Sequence, residues 1–441
     1  MSPQVYSEPP DGGWGWAITL ACFMQSVLVF GVTRLLGIFF VEFMAYFDEP
    51  SSATSWISSI ALATMMVTSP LAGALATQYG ERPVAIAGGL LSGLGYFLAS
   101  FATNLAQLYI FIGMFTGIGG TFALWPSLAL LSRYFERRRP LATSLALSGA
   151  GVASLALSPL FQFLVDLYGW RGALLLVSGM VFHLLPCGAL LRPLALPEDD
   201  ALAAPPEQAV SWRHRLSSLF GLSLLRHRGF MTYTCCGVLN AAGFFVPLVH
   251  LVPHARELDF DEYQAAFLAS AVGVADIGGR VACTWLVTCG PLRLCHHLTL
   301  WSFLTGVSVL AVPLGRSYGA VLAISACYGF LAGAVLPLRV STLVEIVGPA
   351  RIMGAIGLIN LMESVGALSG PPLSGWIRDV SGSYKASFLA GGCFLVAGSL
   401  GLLLLPGYFS LQTPRPPKQN QEGSKPEDPW NPSQQNGVCL A

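Results

Sequence analysis

A chain of 441 residues with 54% hydrophobic and only 10% charged positions has more apolar surface than one or two soluble cores can hide, so a membrane is its expected solvent. Its 23 Lys and Arg balance its 23 Asp and Glu, and this neutrality gives no sign of a nucleic-acid partner.

Along the chain, apolar runs long enough to cross a bilayer predict twelve spans: residues 14–40, 54–77, 83–103, 105–131, 141–165, 172–191, 229–253, 263–289, 297–315, 318–344, 352–377 and 386–409. The alternating pattern of a membrane barrel is absent, so each span is expected to be a helix. Residues 1–13 lack a basic segment and a small-residue cleavage site, which argues against a removed signal peptide and makes 14–40 the first span. Residues 192–228 form the longest gap and carry the basic run Trp212-Arg213-His214-Arg215, as expected of a cytoplasmic linker with a segment suited to the membrane surface. Residues 410–441, rich in Pro, Gln, Asn, Ser and Gly, are expected to be a disordered cytoplasmic tail. The ten cysteines lie mostly in spans without metal-ligand spacing and read as small packing residues.

Basic residues next to spans are retained in the cytoplasm. With both termini placed there, inner segments hold fifteen of the 23 Lys and Arg and outer loops hold five, while Arg34, Arg280 and Arg339 fall within spans.

The chain also repeats. Pro159-Leu160, Asp166 and Gly169 return as Pro372-Leu373, Asp379 and Gly382, at a constant offset of 213 residues, each block closing the fifth span of its half. Residues 14–191 and 229–409 are therefore expected to be two six-helix bundles, the all-α parallel-repeat architecture of major facilitator carriers, with substrate held near midplane between them. Gly113, Gly117, Gly119, Gly120, Gly149 and Gly151 suit close helix approach.

Inside span 263–289, Asp276 and Arg280 stand one helical turn apart, a pair that is costly in lipid and is commonly kept because an ion or proton uses it. With Arg34, Arg339 and Glu363 the embedded set is three positive and two negative, and the surplus positive charge suits a carboxylate held bidentately by guanidinium. Each also has a plainer reading. Asp276 and Arg280 are alternatively a static strut, Arg34 a snorkelling interface residue, and Arg339 structural; Glu363 reads as a brace for the eleventh helix or a partner for a basic neighbour. His250 and His254 have helical ligand spacing, but Pro253 intervenes and no carboxylate or Cys completes a metal site, so both are expected at the outer interface, with pH sensing as the alternative.

Asp11-Gly12-Gly13-Trp14-Gly15-Trp16 and Tyr134-Phe135-Glu136-Arg137-Arg138-Arg139-Pro140-Leu141-Ala142, continuing to Gly149-Ala150-Gly151, resemble the signatures of the monocarboxylate transporter family, solute carrier family 16. The resemblance continues through Trp56-Ile57-Ser58-Ser59, Gly169-Trp170-Arg171-Gly172 and Gly370-Pro371-Pro372 and covers residues 9–408. Phe245-Val246-Pro247, His250-Leu251 and Pro253-His254-Ala255 resemble the subgroup of members 11 and 13. This implies proton-linked symport of small monocarboxylates such as lactate, pyruvate or ketone bodies, by alternating access, with a single-span immunoglobulin-type glycoprotein as ancillary partner in some relatives; the plasma membrane is the expected location, with the Golgi or another internal membrane as the alternative.

It also implies that Asp276 and Arg280 are working groups, that Arg34 stands where the lactate carriers have a first-span Lys, and that Val340, beside Arg339, stands where they have a selectivity-linked Phe. Asp11, Gly13, Trp14 and Trp16 belong to the first motif, where Asp11 and the tryptophans are expected to cap and anchor the first helix. Arg137, Arg138 and Arg139 belong to the second and are expected to hold their loop inside and to gate it with acidic partners. An uncoupled or sodium-linked facilitator of amino-acid-like solutes is the competing carrier, and a non-transporting receptor or scaffold the competing class. No nucleophile-acid-base cluster, metal set or nucleotide-binding loop is visible in the sequence, so neither an enzyme nor a cofactor is expected.

Overall fold

The computed structural model describes residues 4–5, 10–34, 36–135, 138–195, 222–289, 293–347 and 352–405. A chain in lipid must satisfy its backbone hydrogen bonds internally, and the described residues do so almost entirely as helices. In order they are α1 (Trp14–Phe47), α2 (Ser51–Tyr79), α3 (Glu81–Ala99), α4 (Leu105–Tyr134), α5 and α6 (residues 139–168 and 170–189), α7 (Arg228–Glu257), α8 (Glu262–Cys289), α9 (Leu294–Leu314), α10 (Tyr318–Val347), α11 (Ile352–Ser381) and α12 (Tyr384–Leu404). Apart from them, Gln4–Val5 pairs in parallel with Leu194–Ala195.

Among the described residues, ten helical stretches are long and apolar enough to cross a membrane by length and composition. The longest, Leu141–Ala189, breaks at Gly169, whose φ of 66° and ψ of 171° divide α5 from α6. The thirty-residue α11 is not among the ten. Each of the twelve expected spans thus coincides with a helical rod, although hydropathy alone singles out fewer. The repeat has a backbone cause, because Gly382 turns after α11 with φ 73°, as Gly169 does after α5, in the left-handed region that favours glycine.

The described residues form one compact unit. The bundle has a near end, where α1 starts and α12 finishes, and a far end carrying the α1–α2 and α7–α8 turns. The two bundles meet along α1 with α7, α2 with α11 and α5 with α8. Small residues permit this approach: a Cβ on Gly151 of α5 would stand 2.7 Å from the carbonyl oxygen of Gly273 on α8. The close approach expected of the α4 glycines also holds, since a Cβ on Gly119 would meet the Ser92 hydroxyl at 2.6 Å.

Two helices carry π-helical turns, Val27–Gly31 in α1 and Tyr109–Phe115 in α4. Such turns are frequent at functional sites, and the one in α1 ends three residues before Arg34. Linker residues 196–221 and the tail from residue 406 lie outside the described residues. Among the cysteines whose side chains are described, Cys22, Cys187, Cys236 and Cys283 are free thiols buried as packing residues, whereas Cys235, Cys327 and Cys393 are exposed.

Candidate functional site

Serine hydroxyls, backbone amides and one carboxylate hold the far end shut between the bundles. The N–H groups of Ser51 and Ser52, at the start of α2, donate to Asp379 Oδ1 and Oδ2 of α11 at 3.0 and 2.8 Å, which places a negative charge at a helix N-terminus. The Ser51 hydroxyl meets that of Tyr384 at 3.2 Å, and the Ser158 hydroxyl of α5 donates to the Ala266 carbonyl of α8 at 2.6 Å.

His250 and His254 belong to this seal rather than to an outer interface. His250 is 0% exposed, its Nε2 lies 3.1 Å from the Pro371 carbonyl, and its ring packs against Phe40 of α1 and Tyr384 of α12. His254 is buried against Phe388. Interior packing wins because α7 runs between α1 and α12 there, a neighbour relation that the residue spacing does not carry. Among the described residues no group of His, Cys, Asp or Glu has the arrangement of a metal site.

From mid-bundle toward the near end runs a cavity of about 240 Å³, lined by both bundles. All five expected embedded charges line it, together with Val340. Their pairing differs from the isolated Asp276–Arg280 couple that the helical spacing suggests.

Asp276 is 4% exposed and its carboxylate joins two arginines. Arg280 Nε donates to Oδ2 at 3.1 Å, and its Nη2 lies 3.5 Å from Oδ1. Arg34 Nη1 of α1 lies 3.5 Å from the same Oδ2. One carboxylate thus ties the first bundle to the second at mid-depth. The backbone fixes its place, since a Cβ on Gly333 of α10 would run into the Asp276 carbonyl.

Arg34 does not snorkel to an interface, and it borders a second, smaller cavity. That space, about 20 Å³, lies toward the far end and is lined by Arg34, Ser154, Leu251 and Tyr328. Arg34 therefore stands between the open part of the path and the closed part.

Arg339 of α10 pairs with Glu363 of α11, so Glu363 has the basic neighbour expected of it. Glu363 is 2% exposed, and Gly237 of α7 makes room for its carboxyl group. The Tyr233 hydroxyl donates to the Arg339 backbone carbonyl at 2.8 Å. Val340 is 44% exposed on the cavity wall, with Phe30, Trp125 and Phe244 among the apolar lining.

Asp11 to Trp16, with Tyr134 and Phe135, lie at the near end, outside the cavity lining. The N-cap of α1 is Gly13 (φ 57°), with no side-chain cap bond; Asp11 does not cap the helix, and its Oδ1 instead accepts from Arg138 N at 3.5 Å. A φ of 44° at Asp11 bends the chain so that its own N–H bonds the Tyr134 carbonyl, which turns the carboxylate toward the α4–α5 loop rather than the helix end. Trp14 Nε1 donates to the Leu190 carbonyl at 3.1 Å with the Arg192 guanidinium over its ring, and Trp16 packs edge-on against Phe135 at 5.1 Å. This motif ties the start of α1 to the ends of α4 and α6. Arg137 lies outside the described residues, as does the Arg139 side chain, although Arg139 begins the α5 backbone.

Three cavity residues escaped the sequence reading. Tyr233, Asn360 and Trp125 line the space, and the Asn360 Nδ2 donates to Ser69 Oγ across the bundles at 3.1 Å. Tyr328, at the smaller cavity, donates to the Phe244 carbonyl at 2.8 Å. A polar or aromatic residue in a span gives a weak signal, because its direction depends on which helix covers it.

The Major Facilitator Superfamily model matches residues 21–294 and 289–436. Monocarboxylate transporter 13 of Bos taurus is 47% identical over 96% of this chain and 94% of its own length, and monocarboxylate transporter 11 of Homo sapiens is 42% identical over 92% and 86%. Among solved structures, the nucleoside transporter NupG aligns with a TM-score of 0.70 at 13% identity, over 89% of this chain and 100% of its own, a likeness of fold alone. The chain is thus a multi-pass membrane protein of the major facilitator superfamily and belongs, within it, to the monocarboxylate transporter family.

Proposed function

We propose that this chain moves monocarboxylates across a membrane in symport with protons, rocking its two bundles around the Arg34–Asp276–Arg280 cluster. The observation that carries the reading is the shared carboxylate, with an arginine from each bundle on it. While Asp276 is ionised it occupies both guanidiniums and holds the bundles together. A proton on it removes that hold, and the arginines then accept the carboxylate of the substrate, which replaces the lost negative charge. Proton and anion therefore load together, because an unpaired guanidinium or carboxylate in this low-dielectric setting is expensive. Val340 leaves room where a larger side chain would narrow the cavity, and Arg339 adds positive charge beside it, so both bear on which acid is accepted.

The basic residues of the near-end loops make that end cytoplasmic, so the cavity faces inward while the far end is sealed. Residues 192–228 serve as the cytoplasmic linker, and Arg137, Arg138 and Arg139 keep their loop on that side. The plasma membrane is the working location, reached with or without a single-span glycoprotein partner. The work is carriage without a chemical step.

Purified protein in liposomes, offered labelled lactate, pyruvate and a ketone body with and without an inward proton gradient, tests this directly. Uptake that rises with the gradient is expected. Uptake that follows a sodium gradient, or prefers amino acids, replaces proton symport by a facilitator of zwitterions. No flux of any solute sinks the carrier reading altogether.

A further inference from the structure

Glu363 and Arg339 form a second acid–guanidinium pair in the cavity that holds Asp276, yet both belong to the second bundle. Rocking of the bundles neither makes nor breaks this pair, so it is not a latch between them. We propose that Arg339 and Glu363 form a second proton-linked carboxylate subsite, which takes the second carboxylate of a dicarboxylic substrate. This rests on the carrier reading above and extends its substrate class.

Two observations favour a loading site over a strut. The pair borders the open cavity, and the Arg339 side chain retains 21% exposure there. Glu363, in contrast, is almost wholly buried, with glycine opposite its carboxyl group, so it has little water to solvate a lone negative charge. Whatever draws Arg339 away must therefore leave Glu363 protonated. Other polar groups around the pair include the Tyr233 hydroxyl of α7, which donates to the Arg339 carbonyl, Asn360, which bonds Ser69 of α2, and Asn240, Ser302 and Thr305, which line a small space with Arg339.

Charge balance supports the same assignment. Arg34, Arg280 and Arg339 against Asp276 and Glu363 leave one surplus positive charge in the empty cavity. One proton with one carboxylate preserves that value, and two protons with a dicarboxylate preserve it again. The loaded and empty carriers then present the same net charge to the membrane, so neither form carries an additional desolvation cost on reorientation.

The test uses full-length protein in liposomes with labelled lactate and labelled succinate as probes, at a series of external pH values. Succinate uptake is expected, with a logarithmic dependence on proton concentration approaching slope two, against one for lactate. Glu363→Gln should lower the succinate slope toward one, since it mimics the protonated acid. Arg339→Ala should lower the ratio of succinate to lactate uptake by about tenfold or more, the loss of one charge-assisted contact. If Arg339→Ala fails to reach the membrane, Arg339→Gln combined with Glu363→Gln leaves no lone charge and allows the same comparison.

Wild-type protein that carries lactate with protons but neither carries nor is inhibited by succinate overturns this subsite and leaves the monocarboxylate reading intact. An unchanged succinate slope in Glu363→Gln overturns it as well. A wild type without proton-driven lactate uptake instead counts against the parent reading, while succinate uptake with slope two would still support the subsite.

Discussion

At the scale of single residues, Asp276 is the junction on which the proposed coupling depends, and its partners divide the work by geometry. Arg280 presents two donors to the carboxylate, and Arg34 approaches from the other bundle with one. Asp276→Asn keeps the shape and removes the titrating group, so proton-driven uptake should fall to about a tenth or less, a rise of ~1.4 kcal/mol or more in the barrier. The check is uptake with and without a pH gradient alongside membrane abundance, and undiminished pH dependence would move coupling elsewhere. Arg280→Lys retains charge but loses the planar fork, and the apparent KM should rise about tenfold. An unchanged KM would shift the main carboxylate contact to Arg34.

At the scale of elements, α8 is the most constrained helix of the site. Gly151 lets α5 approach it on one side, while Gly329 and Gly333 bring α10 against its backbone on the other. Asp276 is held by main-chain packing as well as by its ion pairs. Gly333→Val would drive a branched side chain into the Asp276 carbonyl, and overpacking of this kind costs about 1–3 kcal/mol. A lower melting temperature in detergent and reduced membrane abundance are expected; a normal melting temperature would show that α10 can yield without cost. The π-helical turn of α1 acts on the same site from the first bundle, since the extra residue in that turn re-aims the positions after it, Arg34 included.

At the scale of the molecule, the far-end seal and the near-end cavity correspond to one of the two states that the proposed alternating access requires. The seal is chemically specific: Asp379 accepts the N–H groups of Ser51 and Ser52 and so stabilises the start of a helix in the other bundle. Asp379→Ala removes both charge-assisted bonds, each contributing ~1.5–3 kcal/mol, and should move the population toward a state open at the far end. In a cysteine-free background, a thiol placed at the buried Ser55 should then react with an impermeant maleimide at least about tenfold faster than with Asp379 intact. Equal rates would mean that Asp379 braces α2 without controlling the opening.

Some of this was fixed by residue type alone. Runs of apolar residues require helices in lipid, and the Pro159-Leu160 and Pro372-Leu373 blocks mark the two ends at which glycine must turn with positive φ. The spacing of Asp276 and Arg280 required that they share a face, because four residues make one helical turn. The sequence also made Arg34, Arg339 and Glu363 costly in lipid, and so demanded partners or water for each. It did not name the partners. That Arg34 meets Asp276 while Glu363 meets Arg339 depends on how α1 lies against α8 and how α11 lies beside α10, and helices distant in the chain are brought together by packing that no local pattern encodes. The same reason placed His250 inside a seal and turned Asp11 from a helix cap into a tie between loops. Local chemistry determined which residues are expensive to bury, and only tertiary packing decided which of them compensate one another.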